Sequence, residues 1–247
     1  NLKNLTAKLL DYFNLQLINK NQKIIEMSTN DRKIIDLVSK YSMTPQIRIY
    51  NLIQSLRHIE HNGIEGDYVE CGVWKGGNLI LFKKFLEESK KISRKIYAYD
   101  TFEGMTNPDD NDFDISTTEK AEKLLMQDKE KKTNVWGICS LNNVKDNILK
   151  TIGNLDNIEF VEGPVEKTLN EKNIPKRISL LRLDTDWYSS TKKELDALYE
   201  KVSKGGVIII DDYGHWGGSK KAVDEFFKDK YVWMHYVDYA CRLIIKE

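Results

Sequence analysis

Two apolar runs, each closing on acidic residues, restrict the architecture of this chain more than any other feature. Ile178-Ser-Leu-Leu-Arg-Leu-Asp184 and Gly206-Val-Ile-Ile-Ile-Asp211 are near-continuous hydrophobic segments of strand length. Segments apolar on both faces belong to strands covered on both sides, the condition of a parallel sheet between helical layers. The neighbouring segments agree. Asp67–Cys71, Lys95–Asp100 and Ile158–Glu162 read as further strands. Asn78 to about Glu88, Leu141–Lys150, Ser190–Val202 and Ser219–Lys228 read as helices. Tyr231–Val237 and Arg242–Ile245 are short and closely spaced, suited to an antiparallel hairpin at the sheet edge. Alternating strands and helices predict an α/β fold with a doubly wound, Rossmann-like sheet.

In such sheets ligands sit beyond the carboxyl ends of the strands. Gly72, Asp100, Asp184, Asp211 and Asp212 all fall at those ends. The fold prediction therefore gathers scattered residues into one candidate site.

The first strand runs into Glu70-Cys71-Gly72-Val73-Trp74-Lys75-Gly76-Gly77. Glycines permit a tight turn and close approach of a ligand to the backbone. The N-terminus of the following helix suits a carboxylate or phosphate. A dinucleotide fingerprint would read GxGxxG. The Glu-x-Gly-x-x-x-Gly spacing here favours S-adenosylmethionine, whose methionine end needs backbone donors for its carboxylate and an acid for its ammonium. An ordinary strand-to-helix turn would show the same glycines. Asp100, about 28 residues beyond Gly72, can accept hydrogen bonds from ribose hydroxyls. Thr101 follows it, and Phe102 can pack against an adenine. A strand-end aspartate that caps its own turn is the alternative.

The acids after the two long strands point to a metal. Asp184-Thr185-Asp186 and Asp211-Asp212 would converge if their strands are neighbours. Crowded carboxylates repel unless a cation or protons neutralise them. An oxygen-only set suits Mg²⁺, Mn²⁺ or Ca²⁺ better than zinc. Such an ion lowers the pKa of a substrate hydroxyl. Solvated strand ends or helix caps are the competing reading. His215, three residues past Asp212, can assist proton removal or touch substrate. The acidic stretch Asp109–Asp114 fails as an EF-hand, since Ile115 and Ala121 stand where glycine and glutamate are required. It reads as a solvated loop.

The remaining composition narrows the class. The 38 basic side chains balance 38 acidic ones, so no basic stripe recommends nucleic-acid binding. Three cysteines without CxxC spacing read as reduced thiols. No apolar run approaches the ~20 residues that span a bilayer, and the N-terminus lacks a secretory pattern. The expectation is a cytoplasmic enzyme that touches no membrane. Residues 1–60 read as an N-terminal helical region, with the main domain over 61–247. Residues 103–135 are polar and charged, and read as a lid or insertion that is mobile without ligand. The amphipathic N-terminal region offers a surface for a homodimer or higher homo-oligomer.

With these segments in view, the chain resembles the macrocin O-methyltransferases. The resemblance runs from about Met43-Thr44-Pro45 to Phe227. It is carried by Tyr68-Val-Glu-Cys-Gly-Val-Trp-Lys-Gly-Gly77, Tyr99-Asp-Thr-Phe-Glu-Gly104, Leu181-Arg-Leu-Asp-Thr-Asp-Trp-Tyr-Ser-Ser-Thr191 and Gly205-Gly-Val-Ile-Ile-Ile-Asp-Asp-Tyr-Gly214. It implies a class I methyltransferase sheet of seven strands and transfer of a methyl group to a sugar hydroxyl, on a nucleotide-linked or glycosidic sugar. By matching positions, Asp184, Asp211 and Asp212 would bind the divalent metal and Asp186 would be the general base. Glu70, Gly72 and Trp74 would lie along S-adenosylmethionine with Asp100 at its ribose, and Thr44 and Ser140 would line the cofactor. This chain departs from the pattern at Gly163-Pro164-Val165, where relatives often carry Trp-Phe. A catechol acceptor, a nicotinamide oxidoreductase and a non-catalytic binding protein on the same fold are the rival readings. The Glu-x-Gly spacing argues against the nicotinamide enzyme, and the intact acid set argues against a dead one.

Overall fold

The computed structural model describes residues 24–89, 93–128, 130 and 134–247. Residues 1–23 of the expected N-terminal helical region lie outside these. Two helices follow, α1 (Thr29–Val38) and α2 (Gln46–His61). Helix α1 opens with a capping box in which Ser28 and Asp31 accept from each other's backbone N–H. The chain then alternates β1 (Asp67–Cys71), α3 (Gly77–Ser89), β2 (Ile96–Asp100), α4 (Ala121–Gln127), α5 (Leu141–Ile152), β3 (Ile158–Glu162), α6 (Val165–Thr168), β4 (Ile178–Leu183), α7 (Tyr188–Leu198), β5 (Val202–Ile210) and α8 (Gly217–Phe227). It ends in β6 (His235–Tyr236) and β7 (Arg242–Ile245).

The seven strands form one sheet in the order β3-β2-β1-β4-β5-β7-β6. Strands β1 to β5 are parallel, while β7 runs antiparallel to both β5 and β6. The doubly wound sheet and its edge hairpin are thus as expected. The order reverses at β1 and β4, which is the switch point where such sheets open a crevice. Pairing at the carboxyl ends is in step, with Tyr99, Cys71, Leu183 and Ile210 side by side. The next residues, Asp100, Gly72, Asp184 and Asp211, therefore form one row along the crevice.

Alternation along the strands feeds two cores. Tyr68, Leu180, Val207 and Ile209 face one side and pack with Ile49, Leu52, Ile53, Leu56 and Ile59 of α2 and with α1 and α3. Val69, Cys71, Leu181, Leu183, Ile208 and Ile210 face the other, against α7 and α8. Each fully buried isoleucine or leucine contributes about 1.5–3 kcal/mol of transfer free energy. The described part of the region 1–60 shares the first of these cores. Helix α2 packs on the sheet, and α1 rests on α2 and α3.

Three details differ from the sequence reading. Leu195, Leu198, Tyr199 and Val202 keep helical spacing, yet α7 ends at Leu198 and β5 begins at Val202. A single tightened turn over Tyr199–Lys201 joins them, and Tyr199 packs edge-on against Phe226 and Phe227. Of the strand expected over Tyr231–Val237, only His235 and Tyr236 pair with β7. In the acidic stretch Asp109–Asp114, Asp112 is 1% exposed. The solvated-loop reading fails at that residue, because its carboxylate caps other elements, as described below.

Candidate active site

A cavity of about 430 Å³ opens at the carboxyl ends of β1, β2, β4 and β5. Its floor is the residue row set by strand register. Gly72 is essential to that geometry, with φ +87° and no room for a side chain. A Cβ there would lie 1.9 Å from the Asp184 carbonyl oxygen. Beyond it, Asp100 organises the turn of β1 into α3. Its Oδ2 accepts from the N–H groups of Val73 (2.6 Å) and Trp74 (3.0 Å), and its Oδ1 from Phe102 (2.7 Å). Burial raises the Asp100 pKa, and these three backbone donors oppose the rise. Asp100 thus does what the alternative reading expected, while its carboxylate still lines the cavity with Thr101.

The acids define the far side. One carboxylate oxygen each of Asp184, Asp186 and Asp212 lie within 4.8 Å of one another. Burial pushes Asp184 up to about 6, with Arg182 opposing and Asp211 adding to the rise. Burial, and then the neighbouring Asp184, push Asp186 up to about 7. Asp212 is driven well above the usual carboxylate range by burial and then by Asp186. Its Oδ2 is buried without a hydrogen-bond partner. Asp186 also sits at φ +68°, a conformation few non-glycine residues adopt and one typical of functional strain.

Asp211, expected beside Asp212 as a ligand, stands apart from this group of three. Its Oδ2 accepts from Arg48 at 2.5 Å and its Oδ1 from Arg182 at 2.8 Å. Arg182 is buried in the central strand and also pairs with Asp184 (2.6 Å) and Glu70 (2.9 Å). Arg48 reaches on to Asp238 at 2.7 Å. The two arginines neutralise part of the acid cluster from behind and leave Asp212 Oδ2 without a partner. An oxygen-only set of three carboxylates with one orphaned buried oxygen fits a hard divalent cation.

The other expected site residues divide in two. Thr44, Val73, Trp74 and His215 line the cavity with Gly72, Asp100 and Thr101. Thr44 Oγ1 accepts from Arg182 at 3.3 Å. His215 packs edge-on against Trp216 and Tyr239, and burial lowers its pKa against the opposing pull of Asp114. Glu70, Cys71, Gly76, Phe102 and Ser140 lie outside the lining. Glu70 is 1% exposed, held by Arg182 and by Asn78 (2.7 Å). Cys71 points into the second core. Phe102, expected against an adenine, sits in the first core, edge-on to Phe160. Ser140 caps α5 by accepting from the Asn143 N–H. Gly163, Pro164 and Val165, where the chain departs from its resemblance, form part of the cavity wall.

Sequence reasoning missed Arg48, Arg182 and Trp216. The signal for Arg182 was present, since an arginine inside an apolar central strand must be paired. Arg48 and Trp216 carried none that spacing could separate from an ordinary helix face or loop.

The profile of the family described as Macrocin-O-methyltransferase (TylF) matches residues 7–243 of this chain. Among characterised relatives, demethyldecarbamoylnovobiocin O-methyltransferase of Streptomyces niveus is 30% identical over 183 residues, 72% of this chain and 64% of that protein. The 8-demethyl-8-(2,3-dimethoxy-alpha-L-rhamnosyl)-tetracenomycin-C 4'-O-methyltransferase of Streptomyces olivaceus is 31% identical over 177 residues, 70% of this chain and 62% of that protein. The chain thus spans a little under two thirds of the length of these relatives. The solved structure of the O-methyltransferase NovP superimposes with a TM-score of 0.71 at 27% identity, covering 83% of this chain and 82% of the other.

Proposed function

The chain belongs to the macrocin O-methyltransferase family, and on that premise we propose that it transfers the methyl group of S-adenosylmethionine to a sugar hydroxyl beside a divalent cation. The observation that carries this reading is the convergence of Asp184, Asp186 and Asp212 at the sheet's switch point, with an unpartnered carboxylate oxygen among them. The rhamnosyl acceptor named for the tetracenomycin relative supports a sugar over other acceptors.

When bound, S-adenosylmethionine supplies an activated sulfonium methyl, and a divalent ion supplies the positive charge that makes a sugar hydroxyl a better acid. Asp184 and Asp212, two of the three converging acids, would hold the ion with Asp211 beside them, and Asp186, the third, would be left for the proton. Asp211 keeps free lone pairs beside its arginines, because a carboxylate offers about four acceptor positions. Arg48 and Arg182 fix its orientation from behind. Asp186 accepts the proton of the sugar hydroxyl at its carboxylate. Its pKa, pushed up to about 7, suits a base working near neutral pH. His215, in the cavity lining, would serve as a further hydrogen-bonding group for substrate. Gly72 lets the end of β1 pass close to Asp184, and Asp100 sets the Val73–Trp74 turn that would lie along the cofactor.

The test is methyl transfer from labelled S-adenosylmethionine to a panel of a free rhamnoside, a nucleotide-linked rhamnose and a catechol, with and without a chelator. Transfer to a sugar that stops on chelation supports the proposal. Transfer to the catechol alone moves the chain to the rival acceptor class, and undiminished transfer in chelator removes the cation from the mechanism.

A further inference from the structure

The segment between β2 and α5 is stitched to both acid-bearing loops, and one buried carboxylate, Asp112, sits at the joint. Asp112 Oδ1 accepts from the Tyr188 N–H at 2.8 Å, and its Oδ2 from the Asp109 N–H at 2.7 Å. Tyr188 is the first residue of α7, whose own N-cap residue, Trp187, provides no side-chain bond. Asp112 therefore caps α7 from 76 residues away. The capped residue lies two beyond Asp186, which is held at φ +68° in a turn closed by the Trp187 N–H on the Thr185 carbonyl at 2.8 Å.

The second loop is gripped in the same way. Phe113 accepts from the Gly217 N–H at 2.8 Å, and Ile115 donates to the His215 carbonyl at 2.9 Å. These bonds fix the backbone that follows Asp212. The two glycines opening α8 make room for the contact. A Cβ on Gly218 would lie 1.8 Å from Asp112 Oδ1, and one on Gly217 would lie 2.4 Å from the Phe113 ring. A separate apolar cluster completes the joint. Trp187 and Trp216 meet edge-on at 4.9 Å and pack with Ala121 and Leu125 of α4. The Trp187 indole donates to the Thr106 carbonyl at 3.0 Å.

We propose that Asp112 is a positioning residue for the acid cluster, fixing the turn of Asp186 and locking it to the loop of Asp212. The inference rests on reading that cluster as the reaction centre. It gives the insertion a further role, as a bracket that sets the spacing of the carboxylates.

The experiment compares wild type with Asp112→Ala, Asp112→Asn and Gly218→Ala. Gly218→Ala displaces the Asp112 carboxylate without deleting it, and its Cβ would also lie 2.7 Å from the Tyr188 nitrogen, so it strains the whole joint between Asp112 and α7. Two readouts are taken: amide hydrogen exchange of segments 184–187 and 212–216, and calorimetric titration with Mn²⁺ and with S-adenosylhomocysteine. Asp112→Ala and Gly218→Ala should speed exchange in both segments and weaken Mn²⁺ binding about tenfold, the scale expected when a support of a metal ligand is lost. S-adenosylhomocysteine affinity should hold. Asp112→Asn keeps an acceptor for the Tyr188 N–H but turns its NH2 toward the Asp109 N–H, so its effects should fall between wild type and Asp112→Ala. Faster exchange confined to Tyr188, with Mn²⁺ affinity intact, would make Asp112 a helix cap and nothing more. Parallel loss of both ligands would mark general damage and overturn the proposal. If the wild type takes up no Mn²⁺, the cation reading falls, and exchange in the two segments alone decides whether Asp112 fixes them.

Discussion

Replacing Arg182 with methionine isolates the counter-charge on which the acid cluster depends. Methionine keeps an unbranched apolar stem and removes the guanidinium from a site only 2% exposed. Three carboxylates lose a direct partner: Glu70 at 2.9 Å, Asp184 at 2.6 Å and Asp211 at 2.8 Å. Breaking one buried pair typically costs about 3–5 kcal/mol. Three losses do not add, because an uncompensated buried acid takes up a proton instead of staying charged. Glu70 and Asp184, already pushed up to about 7 and about 6, are well placed to do so. A net cost of about 4 kcal/mol follows. At 2–4 °C per kcal/mol for a chain of this size, Tm falls by about 8–16 °C.

The pH dependence gives the sharper signature. Without the guanidinium, the folded-state pKa values of Glu70 and Asp184 rise further above their unfolded values near 4. The folded protein then binds protons that the unfolded chain releases, so stability declines as pH rises from about 4 past 7. The deficit of Arg182→Met against wild type should therefore be largest near pH 8 and shrink near pH 5. Thermal unfolding followed by circular dichroism at both pH values measures it. A Tm loss under about 3 °C at pH 8, or an equal deficit at both pH values, would refute the counter-charge role.

Three other outcomes are expected. Asp186→Asn should keep S-adenosylhomocysteine and cation binding while lowering methyl transfer by about 10²–10⁴-fold, the span of general-base contributions; a parallel loss of Mn²⁺ affinity in calorimetry would make Asp186 a ligand. Gly72→Ala should destabilise the protein by more than the ~1–3 kcal/mol of left-handed backbone strain, since its Cβ would also meet the Asp184 carbonyl at 1.9 Å; a Tm within 2 °C of wild type, on the scale of about 2–4 °C per kcal/mol, would contradict the close approach. Cation-free wild type should lose stability as pH rises from about 4 to 7, because Asp184 and Asp186 have raised folded-state pKa values; millimolar Mg²⁺ should flatten that slope in a thermal melt, and an unchanged slope would count against the cation.

Much of the fold was legible because strand burial writes itself into composition. The runs ending at Asp184 and Asp211 could be little else than central parallel strands, and their ends placed the acids together before any coordinates. What the sequence could not convey was which acids are compensated. Asp211 and Asp212 are adjacent and identical in type, yet one faces Arg48 and Arg182 while the other carries an orphaned oxygen. That difference arises from α2 crossing the sheet and from an arginine in β4, contacts of long sequence separation. Phe102 shows the same limit. It follows Asp100 as an adenine-stacking residue should, but φ +53° turns its ring into the core. Asp112 was hidden among acidic neighbours, and its burial and its long-range contacts with Tyr188 and Gly218 distinguish it from Asp109 and Asp110.

The measurement closest to the central claim is calorimetric titration of wild type and Asp211→Ala, first with S-adenosylhomocysteine and then with Mg²⁺ or Mn²⁺. The account predicts that both proteins bind S-adenosylhomocysteine and that only wild type binds the metal. No S-adenosylhomocysteine binding by the wild type would contradict the methyltransferase reading itself, and equal metal binding by both proteins would contradict the proposed ligand set.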